Sequence, residues 1–278
     1  MTDSETSYKG HDDKEMFLRI WKSKTEQEKA IVIGIHGLGS HSGLLSFLGE
    51  TFSKQGYTFY APDMRAFGHY DGTKGHIESF DEYTEDIHAL VHQIKSVNPS
   101  KKVFLFGHSM GGLHVIRYAA VYQDEVDGLI TPCPAVSERL KIGSVTKAIA
   151  RILAKANSMR YFDNGLVLDY LSRNEEFVER NRNDPLRFDK ATPRFAIEGL
   201  KAREQASALG DKITLPIFVP QSGDDKILIP EENKEFFDSI ASEDKTWKLY
   251  PDLYHEPWEE EGGDKMLEDI LEWLDQHN

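Results

Sequence analysis

The stretch Val103 to Tyr118, VFLFGHSMGGLHVIRY, constrains this chain more than any other. An apolar run of β character meets Gly107-His108-Ser109-Met110-Gly111 and continues in a helical pattern with one apolar face. A serine held in a tight strand-to-helix turn has a strained backbone, and its Oγ must stand clear of the sheet. The positions two residues to either side must therefore lack bulk. Gly107 and Gly111 meet that need. Strand, G-x-S-x-G and helix in this order are the setting of a nucleophile elbow, which makes Ser109 the candidate nucleophile.

The rest of the chain suits such a turn. β and α patterns alternate: strands at Met16 to Lys22, Ala30 to Ile35, Tyr57 to Ala61, Lys101 to Phe106, Gly128 to Thr131, Pro216 to Pro220 and Thr246 to Tyr250. Helical patterns fall at Gly43 to Gln55, Ser79 to Val97, Glu231 to Ile240 and Asp264 to Gln276. This alternation builds a mostly parallel sheet covered on both faces. Between Val136 and Leu209 the rhythm breaks into helical segments without convincing strands. That marks an insertion: residues 1–135 and 210–278 are expected to form the core, and 136–209 a helical cap.

Composition narrows the function classes. A net charge of −14 over 278 residues argues against a nucleic-acid partner, which would need a cationic face. No apolar run is long enough to span a membrane, and the opening MTDSETSYKG lacks the basic start and apolar core of a secretory signal. One cysteine, Cys133, gives neither a disulfide framework nor a cysteine-rich zinc site. A cytoplasmic location is expected, with no cofactor and no metal. Gly37-x-Gly39 after a strand imitates a dinucleotide fingerprint, but Ser42 stands where the third glycine is required.

A serine hydroxyl needs a histidine to take its proton and a carboxylate to hold that histidine's tautomer. Both should follow the elbow in the order Ser, Asp, His. The strand ending at Pro220 runs into Gly223-Asp224-Asp225-Lys226. Asp225 is preferred to Asp224 because the apolar run Ile227-Leu228-Ile229-Pro230 follows it. His255, in the loop after the strand Thr246 to Tyr250, is the candidate base, and its downstream competitor His277 lies one residue from the end of the chain. The amides of Leu38 and Met110 are the candidate oxyanion hole. His255-Glu-Pro-Trp-Glu259 is a poor zinc motif, since Pro257 breaks the helix that would align two ligands.

These residues resemble the α/β-hydrolases of the monoacylglycerol lipase and lysophospholipase family. The likeness covers nearly the whole chain. It includes His36-Gly37-Leu38-Gly39-Ser40-His41-Ser42, Asp63-Met64-Arg65-Ala66-Phe67-Gly68, Gly75-His76, Gly107-His108-Ser109-Met110-Gly111-Gly112, Leu171-Ser172-Arg173, Asp184-Pro185-Leu186 and Tyr254-His255-Glu256. The resemblance implies an α/β-hydrolase fold, the triad Ser109, Asp225 and His255, and an oxyanion hole at Leu38 and Met110. The implied substrates are single-chain lipid esters such as monoacylglycerols. Lysophospholipids and general carboxylic esters are alternatives. A serine aminopeptidase would bind its ammonium through a carboxylate such as Glu175, Glu176 or Glu179, and a non-catalytic binding protein of this fold is the remaining alternative. Ser40 stands where relatives often carry Glu, and Ala66, His69 and Tyr70 replace the usual Gly and small polar residues.

In the cap, Arg139 to Arg160 holds six basic residues and no acidic one, a local reversal of the chain's charge. Val145, Ile149, Ile152, Leu153 and Ala156 fall on one helical stripe, and Lys147, Arg151 and Lys155 on another. A basic amphipathic helix can lie on an anionic lipid surface. The plainer reading is a helix that packs its stripe on the core and solvates its cations. His36, His108, Ile149 and Ile152 are the further candidates for contact with substrate.

Overall fold

The computed structural model describes residues 4–139 and 143–278. Strands β1 (Ser4–Lys9), β2 (Glu15–Trp21), β3 (Ala30–Ile35), β4 (Tyr57–Pro62), β5 (Val103–Gly107) and β6 (Gly128–Ile130) belong to one sheet. A short pair, β7 (Phe162–Asp163) and β8 (Lys190–Ala191), stands apart. β9 (Ile217–Ser222) and β10 (Lys245–Tyr250) complete the main sheet, in the order β1-β2-β4-β3-β5-β6-β9-β10. From β4 across to β10 each pairing is parallel, while β2 runs antiparallel to both β1 and β4.

Apolar alternation along β3 explains why the sheet is covered twice. Ile31, Ile33 and Ile35 join one core with residues of α2 (Asp81–Val97), α3 (Met110–Tyr122) and α7 (Pro230–Ser239). Ala30 and Val32 join the other with α1 (Ser46–Lys54) and α8 (Asp264–His277). A strand buried on both faces reads as a continuous apolar run, which is what AIVIGI is. The fold is thus the α/β-hydrolase arrangement expected from the sequence.

Three local expectations are corrected. β1 went unpredicted because SETSYK buries only Tyr8 along its length, so it carries no apolar alternation. The first helix opens with a 3-10 turn over Ser42–Leu45 before α1 begins. The segment between β6 and β9, expected to lack strands, contains β7 and β8, paired Phe162 to Ala191 and Asp163 to Lys190. Two residues per strand are too few to leave a periodic signal. The same segment carries α4 (Ser144–Lys155), α5 (Glu175–Arg182) and α6 (Pro193–Ala206), and α4 packs on α6. Lys141, one of the six cations counted there, lies outside the described residues.

The carboxyl ends of the parallel strands gather the candidate residues at one edge. His36 follows β3, Ser109 follows β5, Asp225 lies three residues past β9 and His255 five past β10. That is the edge at which open α/β sheets place their sites.

Candidate active site

Ser109 has φ +57° and ψ −121°, a conformation that L residues rarely adopt. The turn tolerates nothing larger than glycine at its flanks. A Cβ at Gly107 would strike the carbonyl of Gly111, and one at Gly111 would strike that of Ile35. The amide of Ser109 donates to Pro132 O (3.2 Å), and its carbonyl accepts from Leu113 (3.2 Å) and Ala135 (2.9 Å). Held in this way, the hydroxyl projects from the N-terminus of α3.

The structure brings Ser109, His255 and Asp225 into one chain of hydrogen bonds. His255 Nε2 lies 2.8 Å from Ser109 Oγ, and its Nδ1 lies 2.7 Å from Asp225 Oδ2. The other oxygen of Asp225 accepts from the amides of Ile227 (2.8 Å) and Leu228 (2.9 Å), so the apolar run after the acid supplies the backbone that fixes it. Asp224, the alternative, is turned outward in ion pairs with Arg173 and Lys226. His277 pairs with Asp244, just before β10 begins, at the strand end opposite His255, and takes no part.

Electrostatics follow the geometry. Burial pushes the Asp225 carboxyl up, but the charge and hydrogen bond of His255 and the two amides outweigh it, and its pKa falls below the usual range. Burial likewise pulls His255 down, yet Asp225 outweighs it and the imidazole pKa rises above 6.5. The buried carboxylate therefore favours the protonated form of the His255 imidazole, as a candidate base requires.

Leu38 and Met110 line the same cavity as Ser109 and His255. Met110 is the first residue of α3, so its amide has no acceptor within the helix. Gly37 approaches the serine so closely that a Cβ there would sit 3.8 Å from Ser109 Oγ. The cavity has a volume of about 600 Å³ and is walled mainly by apolar side chains, among them Phe80, Leu113, Leu153, Phe195 and Leu200. This size falls among ordinary ligand sites, about 300 to 1,000 Å³.

The other candidates divide. Ile149 lines the cavity, but Ile152 does not and is 67% exposed. His108 lines it while donating from Nε2 to His255 O (2.9 Å). His36 does not reach it, a correction to its expected role. Its Nε2 accepts from the Met64 amide (2.9 Å), so Nδ1 carries the proton and donates to Gly37 O (2.8 Å). Burial holds its pKa down to about 4, which keeps Nε2 free to accept. His36 ties the loop after β3 to the loop after β4. Glu175, Glu176 and Glu179 stand on α5 outside the cavity wall; the carboxylates in the wall are Glu138, Asp163 and Glu256.

Among the polar groups in this apolar wall, Asn164, Arg187 and Arg203 escaped sequence reasoning, whereas Glu256 stands in the motif that carries His255. Among the described residues, two groups could place ligands around a metal ion. One is Cys133, Asp225 and His255, whose acid and base are already bonded to each other; the other is His11, Asp12 and Asp86, into which Arg65 inserts its guanidinium. No described helix is long and apolar enough to cross a membrane.

Known proteins are similar to this chain over most of its length. Residues 26–262 match the family described as serine aminopeptidase, S33. The chain is 30% identical to the monoacylglycerol lipase of Mycolicibacterium smegmatis, over 99% of this chain and 98% of that one. It is 28% identical to the phospholipase YtpA of Bacillus subtilis, over 93% and 100%. The crystal structure of Paleococcus ferrophilus monoacylglycerol lipase superimposes with a TM-score of 0.86 at 31% identity, covering 95% of this chain and 100% of that one. The chain is therefore an α/β-hydrolase of the S33 family, one that it shares with the monoacylglycerol lipases.

Proposed function

We propose that this chain is a serine ester hydrolase that cleaves single-chain lipid esters such as monoacylglycerols through an acyl-enzyme on Ser109. The observation that carries the reading is the Ser109-His255-Asp225 hydrogen-bond chain opening into a largely apolar cavity. Ser109 Oγ attacks the ester carbonyl while His255 Nε2 takes its proton. The amides of Leu38 and Met110 hold the oxyanion. Collapse of the tetrahedral intermediate breaks the bond to the alcohol, which leaves with the proton from His255. Water then repeats the sequence on the acyl-enzyme and releases the fatty acid.

Residues 136–209 act in this reading as the cap over the acyl chain. Val145, Ile149, Ile152, Met159, Tyr161 and Phe162 expose apolar surface around its rim, with Arg151, Lys155 and Arg160 among them. The reading extends to transient docking of that rim on a lipid surface and to a cytoplasmic enzyme, in keeping with a lone cysteine that is buried and unpaired.

The test is Ser109→Ala, which removes the nucleophile from a turn without removing a core contact. Turnover of a monoacylglycerol and labelling by a fluorophosphonate should both vanish, with an unchanged circular dichroism spectrum. Turnover that survives in the folded variant removes Ser109 from the mechanism.

A further inference from the structure

The segment 132–139, which follows β6, grips the backbone of two of the three proposed triad members. Pro132 O accepts the amide of Ser109 (3.2 Å), and the amide of Ala135 donates to Ser109 O (2.9 Å). Further along, the amide of Arg139 donates to Ile227 O (3.0 Å), and its Nε donates to Asp225 O (3.0 Å). Between these grips stands Ser137, 2% exposed, whose Oγ accepts the Ile229 amide (2.9 Å). The loop 225–229, whose own amides hold the Asp225 carboxylate, is thereby fastened along its backbone to the segment 132–139.

Ser137 is not free to turn away. Its hydroxyl proton goes to Asn233 Oδ1 (2.7 Å) rather than to the more distant Ile229 O (3.2 Å). Asn233, fully buried in the first turn of α7, directs both hydrogens of Nδ2 inward, to Pro134 O (2.9 Å) and Gln221 Oε1 (2.8 Å). Gln221 is buried as well, at the end of β9, and its amide nitrogen donates to Ser222 O (3.0 Å). A buried network in which each member is satisfied holds one geometry. Apolar side chains of the same shape could fill this space at no loss of stability, so what the network adds is a fixed register between the segment and the acid loop. Neither Ser137, Asn233 nor Gln221 lines the cavity.

We propose that Ser137, locked by Asn233, is a positioning residue for Asp225. It sets the acid loop against the same segment that grips Ser109, and so fixes the gap between carboxylate and nucleophile that His255 must bridge. The proposal rests on the reading that Ser109, His255 and Asp225 hydrolyse esters. The bridge is exacting, since His255 meets Ser109 Oγ at 2.8 Å and Asp225 Oδ2 at 2.7 Å. A loosened acid loop leaves the imidazole without its partner for part of the time, and catalysis falls steeply with small misplacements.

The test compares Ser137→Ala with Asn233→Ala on p-nitrophenyl butyrate, with rates taken per active site titrated by a fluorophosphonate. Ser137→Ala removes the acceptor of the Ile229 amide, and kcat should fall about 10-fold with KM unchanged. In Asn233→Ala the Ser137 hydroxyl keeps the Ile229 amide and turns its proton to Ile229 O, so kcat should fall only about threefold. That variant empties the larger site and orphans Pro134 O and Gln221 Oε1, so it should lose more melting temperature. The two rankings therefore cross. Asp225 raises the His255 pKa, so the acid limb of the kcat profile should move to lower pH in Ser137→Ala. The other titratable groups around His255, namely His108, Glu256 and Cys133, are the same in both variants. Losses of kcat that rank with the losses of melting temperature overturn the positioning role and leave a purely structural network. If Asn233→Ala does not fold, Ser137→Ala decides alone: an unchanged kcat or an unmoved acid limb overturns the role. Absence of all ester hydrolysis in the wild type would instead overturn the triad reading beneath it.

Discussion

His108 donates from Nε2 to the carbonyl oxygen of His255 over 2.9 Å, so the residue before the candidate nucleophile holds the loop that carries the candidate base. Its ring packs edge-on against Trp258 (centroids 4.8 Å apart) and lies 4.7 Å from the His255 ring. Burial and the nearby His255 charge press its pKa down to about 3, so it stays neutral with the proton on Nε2. His108→Phe keeps the bulk and removes the donor. Catalysis depends on placing the imidazole within a fraction of an ångström, so kcat on a short soluble ester should fall about 10- to 100-fold, with KM little changed. An unaltered kcat would show that the His255 loop holds itself.

The pH profile follows from the triad. His255 must be neutral to accept the serine proton, and its folded pKa is raised, chiefly by Asp225 acting against burial. Activity should therefore be lost as pH falls through a midpoint above 6.5, and recovered on the alkaline side. Glu256 adds to the same rise through its charge. Glu256→Gln should move the acid limb to lower pH, measured on a neutral p-nitrophenyl ester. A limb that moves upward would contradict the assigned sign.

Asp225→Asn should cost far more than Asp224→Asn. Only Asp225 reaches Nδ1 of His255, and a carboxamide there favours the wrong tautomer, a loss of about 10⁴ in kcat where such triads have been tested. Asp224 pairs with Arg173 and Lys226 at the surface, and its loss should change kcat by less than about threefold. The reverse ranking would transfer the acid to Asp224.

His114 offers a stability test away from the chemistry. It is fully buried on α3 against Tyr83 (4.1 Å) and Phe80 (5.3 Å), and neither ring nitrogen has a partner. Burial drives its pKa well below 6.5, so the folded protein keeps it neutral while the unfolded chain takes up a proton below that pH. The unfolded state then binds more protons, and stability falls as pH drops below about 6.5. His114→Phe abolishes this linkage. Between pH 7 and pH 5 the variant should lose less melting temperature than the wild type, whatever the offset at pH 7. Parallel losses would mean that His114 is not titrated on unfolding.

These residues also show where sequence reading succeeds and where it stops. The elbow and Asp225 were legible because each follows a strand buried along its whole length, and His255 because chain order leaves the loop after β10 as the place for the base. His36 misled because it adjoins the oxyanion loop in sequence, while its ring turns inward to brace it. Arg187 and Asn164 left no trace, since a loop cation that is usually solvated becomes a buried one only through tertiary packing. In α4 the apolar stripe was visible, but periodicity cannot tell which partner covers it. Thr146, Lys147, Ile149, Ala150 and Leu153 line the cavity, whereas Val145 and Ile152 point to solvent.

That split on α4 sharpens the docking prediction. Lys147 was grouped with the outward cations, but it lines the cavity, so it is the wrong residue for probing a lipid surface. Arg151, Lys155 and Arg160 are exposed beside Val145 and Ile152. Charge reversal at these three should weaken binding to anionic vesicles by about 1 kcal/mol per cation near the surface, an effect that fades as salt screens it. Val145→Ser with Ile152→Ser should weaken binding at every salt concentration, because the loss is apolar area rather than charge. Both sets should leave a short soluble ester turned over at the wild-type rate, since neither touches the cavity. Ile149→Asp, on the wall, should impair long-chain esters in solution as well as on vesicles. Vesicle sedimentation read beside soluble-ester kinetics separates these cases. Equal losses on vesicles and on the soluble ester from the charge reversal would show that the basic face serves the cap's folding and not a lipid surface.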